Sequence, residues 1–341
     1  VQTLNQCIAT SSSDWVGVIE VGDRLDPLAL FSVVDYIHVH PEWVMIYTDE
    51  DTVTAEGGFI NPQFKPDVNI DMLYSMPYMG SFCLVMHSLL SQFGELPLHD
   101  GVINYFIALK TIESCGDLSI GHIDKMLVHR SDVIHNLLLE EDYSSERRQI
   151  LQNYFERQKL NASVKQGLLP GTHFVRYECR ETPLVSIIIP TKDRLDLLKP
   201  CVDGLLSLTD YKNYEILIVD HDSKERDFQE YLYEIKQNND CVKTLFFSGD
   251  FNFSAINNHA VEQAQGDYIV LLNNDTQILQ DDWLSQMMGY AMRPDVGIVG
   301  ARLIDLNEKL QNGGIICGLA DLADSLHLGL SMHQPGYMQR A

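Results

Sequence analysis

Residues 185–190 read Val-Ser-Ile-Ile-Ile-Pro, and this short run decides the fold. A β-branched apolar segment that ends at a proline is typical of a strand buried on both faces of a parallel sheet. Similar runs predict three more strands downstream, at 215–220, 242–247 and 268–272. Helical patterns fill the intervals, at 197–208, 225–237 and 254–265, and Gly266 is predicted to cap the last of them. Strands that alternate with helices predict an α/β domain with a mostly parallel sheet and helices on both faces.

The chain also repeats part of itself. Residues 14–25 lie over 267–278 at one offset of 253 residues, as from Asp14 to Asp267, and Pro41 then falls on Pro294 without a gap. An offset of this size is the length of one α/β domain, so we predict two partial copies that match as strand–helix–strand over 14–47 and 267–300. We predict three segments. Residues 1–135 are the later half of a degenerate first copy, 136–182 are a helical connector, and 183–341 are the opening half of a second copy. Because the chain does not begin with Met, we expect a fragment of a longer protein.

Composition narrows the class of protein further. Asp and Glu total 48 against 24 Lys and Arg, a net charge of −24. Such a field repels phosphate backbones, so we expect no nucleic-acid partner, whereas a nucleotide held through a cation stays compatible. The 7 cysteines contain no Cys-x-x-Cys pair and are predicted to be free thiols. No apolar run approaches the roughly 20 residues of a membrane span.

Acidic residues stand at or just after the ends of three predicted strands, at Asp193, Asp220 and Asp275. In parallel α/β sheets the ligand crevice lies outside the carboxyl ends of the strands, so these side chains are candidates to converge there. Oxygen ligands suit Mg²⁺ or Mn²⁺. The chain has no Gly-x-Gly-x-x-Gly and no Gly-x-x-x-x-Gly-Lys-Ser/Thr, so a metal or basic side chains must neutralise a bound diphosphate. The plain alternative is that each Asp is a turn or cap residue.

Four segments together resemble a known family. They are Val-Ser-Ile-Ile-Ile-Pro-Thr-Lys-Asp-Arg, Ile-Leu-Ile-Val-Asp-His-Asp-Ser, Phe-Asn-Phe-Ser-Ala-Ile-Asn-Asn-His-Ala and Tyr-Ile-Val-Leu-Leu-Asn-Asn-Asp-Thr. In this order they resemble family 2 glycosyltransferases of the GT-A (Rossmann-like) fold, of the tandem-domain, rhamnosyltransferase-like bacterial type. The resemblance implies inverting transfer from a UDP- or dTDP-linked sugar, with Mg²⁺ or Mn²⁺, to a glycan or lipid-linked acceptor in surface polysaccharide synthesis. It also implies a protein of the cytoplasm or of the inner face of the plasma membrane, through peripheral association.

The resemblance also assigns residues. Four positions match those that border the nucleobase: Pro190, Thr191, Asp193 and Asp220. Asn258 matches the Asn of the family's Ala-Arg-Asn segment. Asn273 opens a variant of the Asp-x-Asp metal motif, and Asp275 closes it as the implied metal ligand.

The first copy departs from the family pattern at two places. The repeat sets Gly22 opposite Asp275, and a glycine has no side chain with which to bind a metal. Asn104 and Phe106 align with the two Asp positions of the segment that carries the family's catalytic base, and an amide cannot accept the acceptor's proton. We therefore predict a non-catalytic first copy. No catalytic base is assigned in this chain, and that of the second copy is expected beyond Ala341.

Three functions stay open at this point. The first is a tandem glycosyltransferase whose second domain is active. The second is a non-catalytic module that binds sugar nucleotides or glycans, and a carboxylate base separates it from the first. The third is another α/β nucleotide enzyme, such as a nucleotidyltransferase, which needs a basic phosphate-gripping loop where Lys192 and Arg194 stand.

Overall fold

The computed structural model describes residues 2–97, 99–131, 141–318 and 322–339. The chain divides into two compact units, which we call the mixed-sheet unit (1–177 with 301–341) and the parallel-sheet unit (178–300). The boundaries predicted from the sequence, at 135 and 182, describe two copies of a duplicated domain, and they stay a prediction. Within the described residues, no helix combines the length and the apolar character needed to cross a bilayer. All seven cysteines are free thiols, as predicted.

The mixed-sheet unit is built on a sheet of both parallel and antiparallel strands. Its elements up to residue 177 are α1 (Gln2–Thr10), β1 (Trp15–Gly17), β2 (Arg24–Leu25), α2 (Ala29–Val39), β3 (Met45–Val53), β4 (Phe59–Gln63), α3 (Ile70–Ser75), β5 (Cys83–Met86), α4 (His87–Leu90), α5 (Ile103–Cys115), β6 (Ile120–Ser131), α6 (Glu141–Gln158), β7 (Ala162–Gln166) and β8 (His173–Tyr177). The strand order is β1-β5-β3-β6-β2, with β4 also on β3. Only β3 and β6 run parallel in this sheet; the other pairs are antiparallel.

The central strand β3 carries an unusual buried acidic run, Thr48-Asp-Glu-Asp-Thr52. Each carboxylate there has a basic partner from another part of the unit. Glu50 contacts Lys65 Nζ at 3.0 Å and Arg130 Nη1 at 3.3 Å. His122 and His129 contact the carboxylates that flank it, at 2.9 and 2.7 Å. Buried charges need such partners, so these contacts explain how an acidic strand occupies the middle of a sheet.

The parallel-sheet unit confirms the predicted α/β fold. Its elements are β9 (Val185–Thr191), α7 (Leu195–Leu208), β10 (Tyr214–Asp220), α8 (Arg226–Asn238), β11 (Val242–Phe246), α9 (Phe253–Val261), β12 (Tyr268–Leu271) and α10 (Trp283–Ala291). The order is β11-β10-β9-β12, and every neighbouring pair is parallel. Alternate residues of β9 pack into two separate cores, Ile187 and Ile189 in one and Ile188 in the other. Helices on both faces therefore bury a continuous apolar strand.

The prediction for Gly266 is wrong. Helix α9 ends at Val261, and Gly266 is not left-handed, so it does not cap the helix. Its N–H instead donates to Ser186 Oγ at 2.9 Å. A Cβ at this position would lie 2.6 Å from Ser186 N and 2.8 Å from Leu184 O. The glycine is needed for a close approach to β9.

The internal repeat is matched by two elements out of three. At an offset of 253, β1 falls on β12 and α2 falls on α10. The strand predicted at 297–300 is not formed, although its counterpart opens β3, and that prediction is wrong. The two segments differ in their pairing, since β3 lies between β5 and β6, whereas 297–300 pairs with no described strand. In the described part of 301–339, β13 (Leu303–Ile304) pairs antiparallel with β14 (Leu310–Asn312), and β15 (Ile315–Cys317) pairs antiparallel with β16 (Ala323–Ser325).

Candidate functional site

The carboxyl end of β9 turns sharply into α7. Asp193 and Arg194 are both left-handed, with φ of 50° and 52°. The Asp193 N–H donates to Ser223 Oγ at 2.7 Å, and Asp193 Oδ1 accepts from the N–H groups of Glu225 (3.0 Å) and Lys224 (2.7 Å). These two backbone donors lower the pKa of Asp193. Asp193 therefore ties the loop after β9 to the loop after β10.

Asp220 ends β10 and is buried. Its Oδ1 accepts from the Ser223 N–H at 3.0 Å, and its Oδ2 accepts from Gln229 Nε2 at 3.0 Å. Both carboxylate oxygens are thus engaged in holding the loop and the first turn of α8. Ser223 belongs to the quoted motif that ends β10, whereas sequence reasoning missed Gln229, because only the folded loop brings it to Asp220.

Thr191 joins the ends of three strands. Its carbonyl accepts from the His221 N–H at 2.8 Å, and its Oγ1 accepts from Asn274 Nδ2 at 3.0 Å. The buried His221 ring in turn donates from Nε2 to the Gly249 carbonyl at 2.9 Å. The carboxyl ends of β9, β10 and β12 and the loop after β11 therefore form one connected edge. His221 is a residue that the sequence did not single out.

The tip of β12 holds the predicted metal ligand. Asn273 and Asp275 are exposed, while Asn274 between them is half-buried against Thr191. Asp275 makes no hydrogen bond or ion pair with the described residues. Its charge still reaches Cys201: burial and the nearby Asp275 carboxylate together raise the pKa of that thiol to about 11.

The three aspartates do not form one metal site. Across the described ranges, no three His, Cys, Asp or Glu side chains are grouped closely enough to hold a metal ion. Asp193 Oδ1 and both carboxylate oxygens of Asp220 accept hydrogen bonds within the protein, as the turn-or-cap alternative expected. Asp275 is the one of the three whose carboxylate accepts no hydrogen bond at either oxygen from the described residues. One free carboxylate fits Mg²⁺ or Mn²⁺, which bind through one or two carboxylates and the phosphates of a substrate.

The other predicted positions lie close to this edge or on its helices. Pro190 is half-buried near the end of β9, and Asn258 is exposed on α9. The neighbouring Asn257 is buried, and its Nδ2 donates to the Phe253 carbonyl at 2.8 Å. Asn258 is therefore the one of the two that is open to a ligand.

In the mixed-sheet unit, the side-chain amide of Asn104 is hydrogen-bonded to backbone carbonyls. Its Nδ2 donates to the carbonyls of Ser81 at 2.6 Å and Gly80 at 3.2 Å. Gly22 lies in a turn with φ of 100° and carries no ligand atom. Burial raises the pKa of the neighbouring Asp23, whose Oδ1 accepts from the Ser131 N–H at 2.8 Å. Both departures from the family pattern thus have structural roles here.

We expect Asn104→Asp to destabilise the mixed-sheet unit by about 1–3 kcal/mol, because a carboxylate would face two carbonyl oxygens and leave them without a donor. Urea unfolding at neutral pH measures this loss, and the loss should shrink in acid, where the introduced carboxyl group is protonated and can donate again. Asn153→Asp is the matched control, since Asn153 is exposed and only accepts, from Gln149 Nε2 at 2.8 Å. Equal stability of the two variants would contradict the assigned role of Asn104.

The parallel sheet and the connected carboxyl ends of its strands define the class of protein domain. It is a parallel α/β domain in which a ligand crevice is expected at the carboxyl ends of the strands. Residues 186–315 match the model of the family Glycosyl transferase family 2. The segment 186–315 therefore matches a glycosyltransferase family 2 domain, and the resemblance noted from its motifs is confirmed.

Longer relatives extend the likeness to nearly the whole chain. It is 33% identical over 345 residues to the uncharacterized protein y4gI of Sinorhizobium fredii, which covers 99% of this chain and 38% of that protein. It is 35% identical over 325 residues to the O-antigen biosynthesis protein RfbC of Myxococcus xanthus, covering 94% of this chain and 25% of that protein. The chain thus spans well under half of either relative. A solved mannosyltransferase from Pyrobaculum calidifontis, in complex with GDP-Man and Mn²⁺, is 21% identical over 35% of each chain, with a TM-score of 0.33.

Proposed function

We propose that the parallel-sheet unit binds the nucleotide-sugar donor of a metal-dependent, inverting glycosyltransferase. The observation that carries this proposal is the free Asp275 carboxylate at the tip of β12, inside the segment 186–315 that matches the family. The tip is fastened to the end of β9 through Asn274 and Thr191, so the carboxylate sits on a defined edge. A divalent cation bound there supplies charge stabilisation to the departing diphosphate.

For the remaining residues, the family resemblance implies the role, and the contacts described above support it. Asp193 and Asp220 shape the two loops that border the nucleobase, while Asp275 holds the metal. The donor is a UDP- or dTDP-linked sugar, hexose or rhamnose, and the acceptor is a glycan or a lipid-linked glycan. The name of the Myxococcus xanthus relative supports a place in surface polysaccharide synthesis, in the cytoplasm or at the inner face of the plasma membrane.

The mixed-sheet unit is proposed to be non-catalytic. An inverting transfer needs a base that takes the proton of the attacking hydroxyl. Asn104 cannot do so, since it is an amide whose N–H groups are already donated to Gly80 and Ser81. We therefore assign the base to no residue of this unit.

Metal-dependent nucleotide binding tests the proposal. UDP or dTDP with Mn²⁺, at about ten times the dissociation constant, should stabilise the folded chain by about 1.4 kcal/mol. This corresponds to a rise in melting temperature of roughly 3–6 °C for a unit near 150 residues. EDTA should abolish the rise, which differential scanning fluorimetry records. Absence of any nucleotide-dependent rise, or a rise that survives EDTA, would overturn the proposal.

A further inference from the structure

An exposed aromatic ring stands on the loop between β11 and α9. The side chain of Phe251 is 73% exposed. The next residue, Asn252, caps α9 by accepting from the Ala255 N–H at 3.0 Å, so the backbone beside Phe251 is fixed. Burying a phenylalanine is favourable by several times the thermal energy. An ordered loop that leaves this ring in water therefore has a face available for a flat ligand.

The ring lies beside the candidate donor edge. Its centroid is 5.9 Å from that of the buried His221 ring, which directly follows Asp220. His221 holds the loop by donating to the Gly249 carbonyl, and its own N–H donates to Thr191. Phe251 thus lies beside a buried, hydrogen-bonded residue at the strand ends that border the predicted nucleobase site.

The strand order separates the ring from the metal ligand. In the order β11-β10-β9-β12, Asp275 follows one edge strand and Phe251 follows the other. Neighbouring strands are about 4.8 Å apart, so β12 is separated from β10 by roughly 10 Å and from β11 by roughly 14 Å. A nucleoside diphosphate whose phosphates meet Asp275 extends along this edge and brings its base over β10 and β11, where Phe251 lies.

We propose that Phe251 stacks on the nucleobase of the donor and so positions it. This inference rests on the proposed function, since it requires a nucleoside diphosphate at this edge. Stacking on an aromatic ring is favourable for every base, because each base has a π-face. Phe251 is therefore expected to add affinity for nucleotides in general, and the choice among bases belongs to other groups.

Titration calorimetry of the full chain with UDP and dTDP in Mn²⁺ tests this inference. Phe251→Ala should raise the dissociation constant roughly 5-fold to 100-fold, the range that base–aromatic stacking covers. Phe251→Tyr should stay near wild type, whereas Phe251→Leu should weaken binding although it keeps an apolar side chain. The affinity for inorganic pyrophosphate with Mn²⁺ should not change, because pyrophosphate has no base. Tyr233→Ala is the matched control, an aromatic ring 69% exposed on α8, and should leave all affinities unaltered.

Each outcome decides between the two proposals. If the wild-type chain binds no nucleoside diphosphate, the proposed function fails and this inference fails with it. If the wild-type chain binds and Phe251→Ala binds equally well, only the stacking role is overturned. The stacking role is also overturned if Phe251→Ala weakens pyrophosphate as much as UDP, since the loop then acts on the phosphates. Should the alanine variant unfold, the comparison of Phe251→Leu with Phe251→Tyr decides the same questions.

Discussion

Asp275→Ala should remove the metal-dependent part of nucleoside diphosphate binding while leaving the fold intact. The side chain is exposed and makes no hydrogen bond or ion pair with the described residues, so its loss should change the free energy of unfolding by no more than about 0.5 kcal/mol. The melting rise of roughly 3–6 °C with UDP or dTDP and Mn²⁺ should vanish. Fluorimetry with and without EDTA measures both effects on the same sample.

The matched control lies at the other end of the same strand. Asp267 is exposed and directly precedes β12, at its amino end. Asp267→Ala removes the same charge from the unit, so a general electrostatic effect on nucleotide affinity would appear in both variants. Only Asp275→Ala should lose the dependence on Mn²⁺. A rise that persists in Asp275→Ala, or equal losses in the two variants, would show that the metal ligand lies elsewhere.

Much of the parallel-sheet unit could be predicted because its signals are local. A β-branched run such as 185–189 and the amphipathic stretches between the strands specify their own conformation, and the observed β9 and α7 begin within two residues of the predicted positions. The order of the motifs along the chain sufficed to recognise the family. Gly266 was misassigned because both a helix cap and a close approach to a strand favour glycine. Only the short distance to Ser186 in the structure shows that the second reason applies.

The sequence predicted which residues lie at the candidate site, but not which of them hold the loops and which is open to a ligand. Asp193 and Asp220 look like Asp275 in the sequence, since all three follow apolar strands. What distinguishes them is the loop over 223–225, whose backbone N–H groups donate to Asp193 Oδ1 and, together with Gln229, to the two oxygens of Asp220. The two left-handed residues after β9 turn the chain next to this loop, and the Asp193 N–H donates to Ser223 Oγ there. The position of Phe251 beside His221 likewise rests on a contact between residues 30 positions apart.

The buried acidic run of β3 carries the largest expected effect on stability. Lys65 Nζ is almost fully buried and donates to Glu50 Oε2 at 3.0 Å and to the carbonyls of Thr48 and Met79 at 2.7 and 2.9 Å. Lys65→Met keeps the length of the side chain but removes the charge and all three hydrogen bonds. Breaking a buried ion pair from one side is expected to lower the free energy of unfolding by about 3–5 kcal/mol, measured by urea denaturation. Lys110→Met, which breaks the more exposed pair with Glu113 in the same unit, should lower it by at most about 1 kcal/mol.

The dependence on pH separates a lost ion pair from lost packing. Burial raises the pKa of Glu50, but the charges of Lys65 and Arg130 outweigh it, and the pKa lies below its ordinary value of 4.5. A carboxylate with a lowered pKa stabilises the fold above its unfolded-state value, and this contribution is lost as the pH falls through the folded-state pKa. Without Lys65, burial dominates, and Glu50 takes up its proton at a higher pH than in the wild type. The stability gap between Lys65→Met and the wild type should therefore be widest near neutral pH and narrow in acid, and the additional change Glu50→Gln should recover part of the loss at neutral pH. A gap that stays constant with pH would assign the whole effect to packing and would remove the ion pair as its cause.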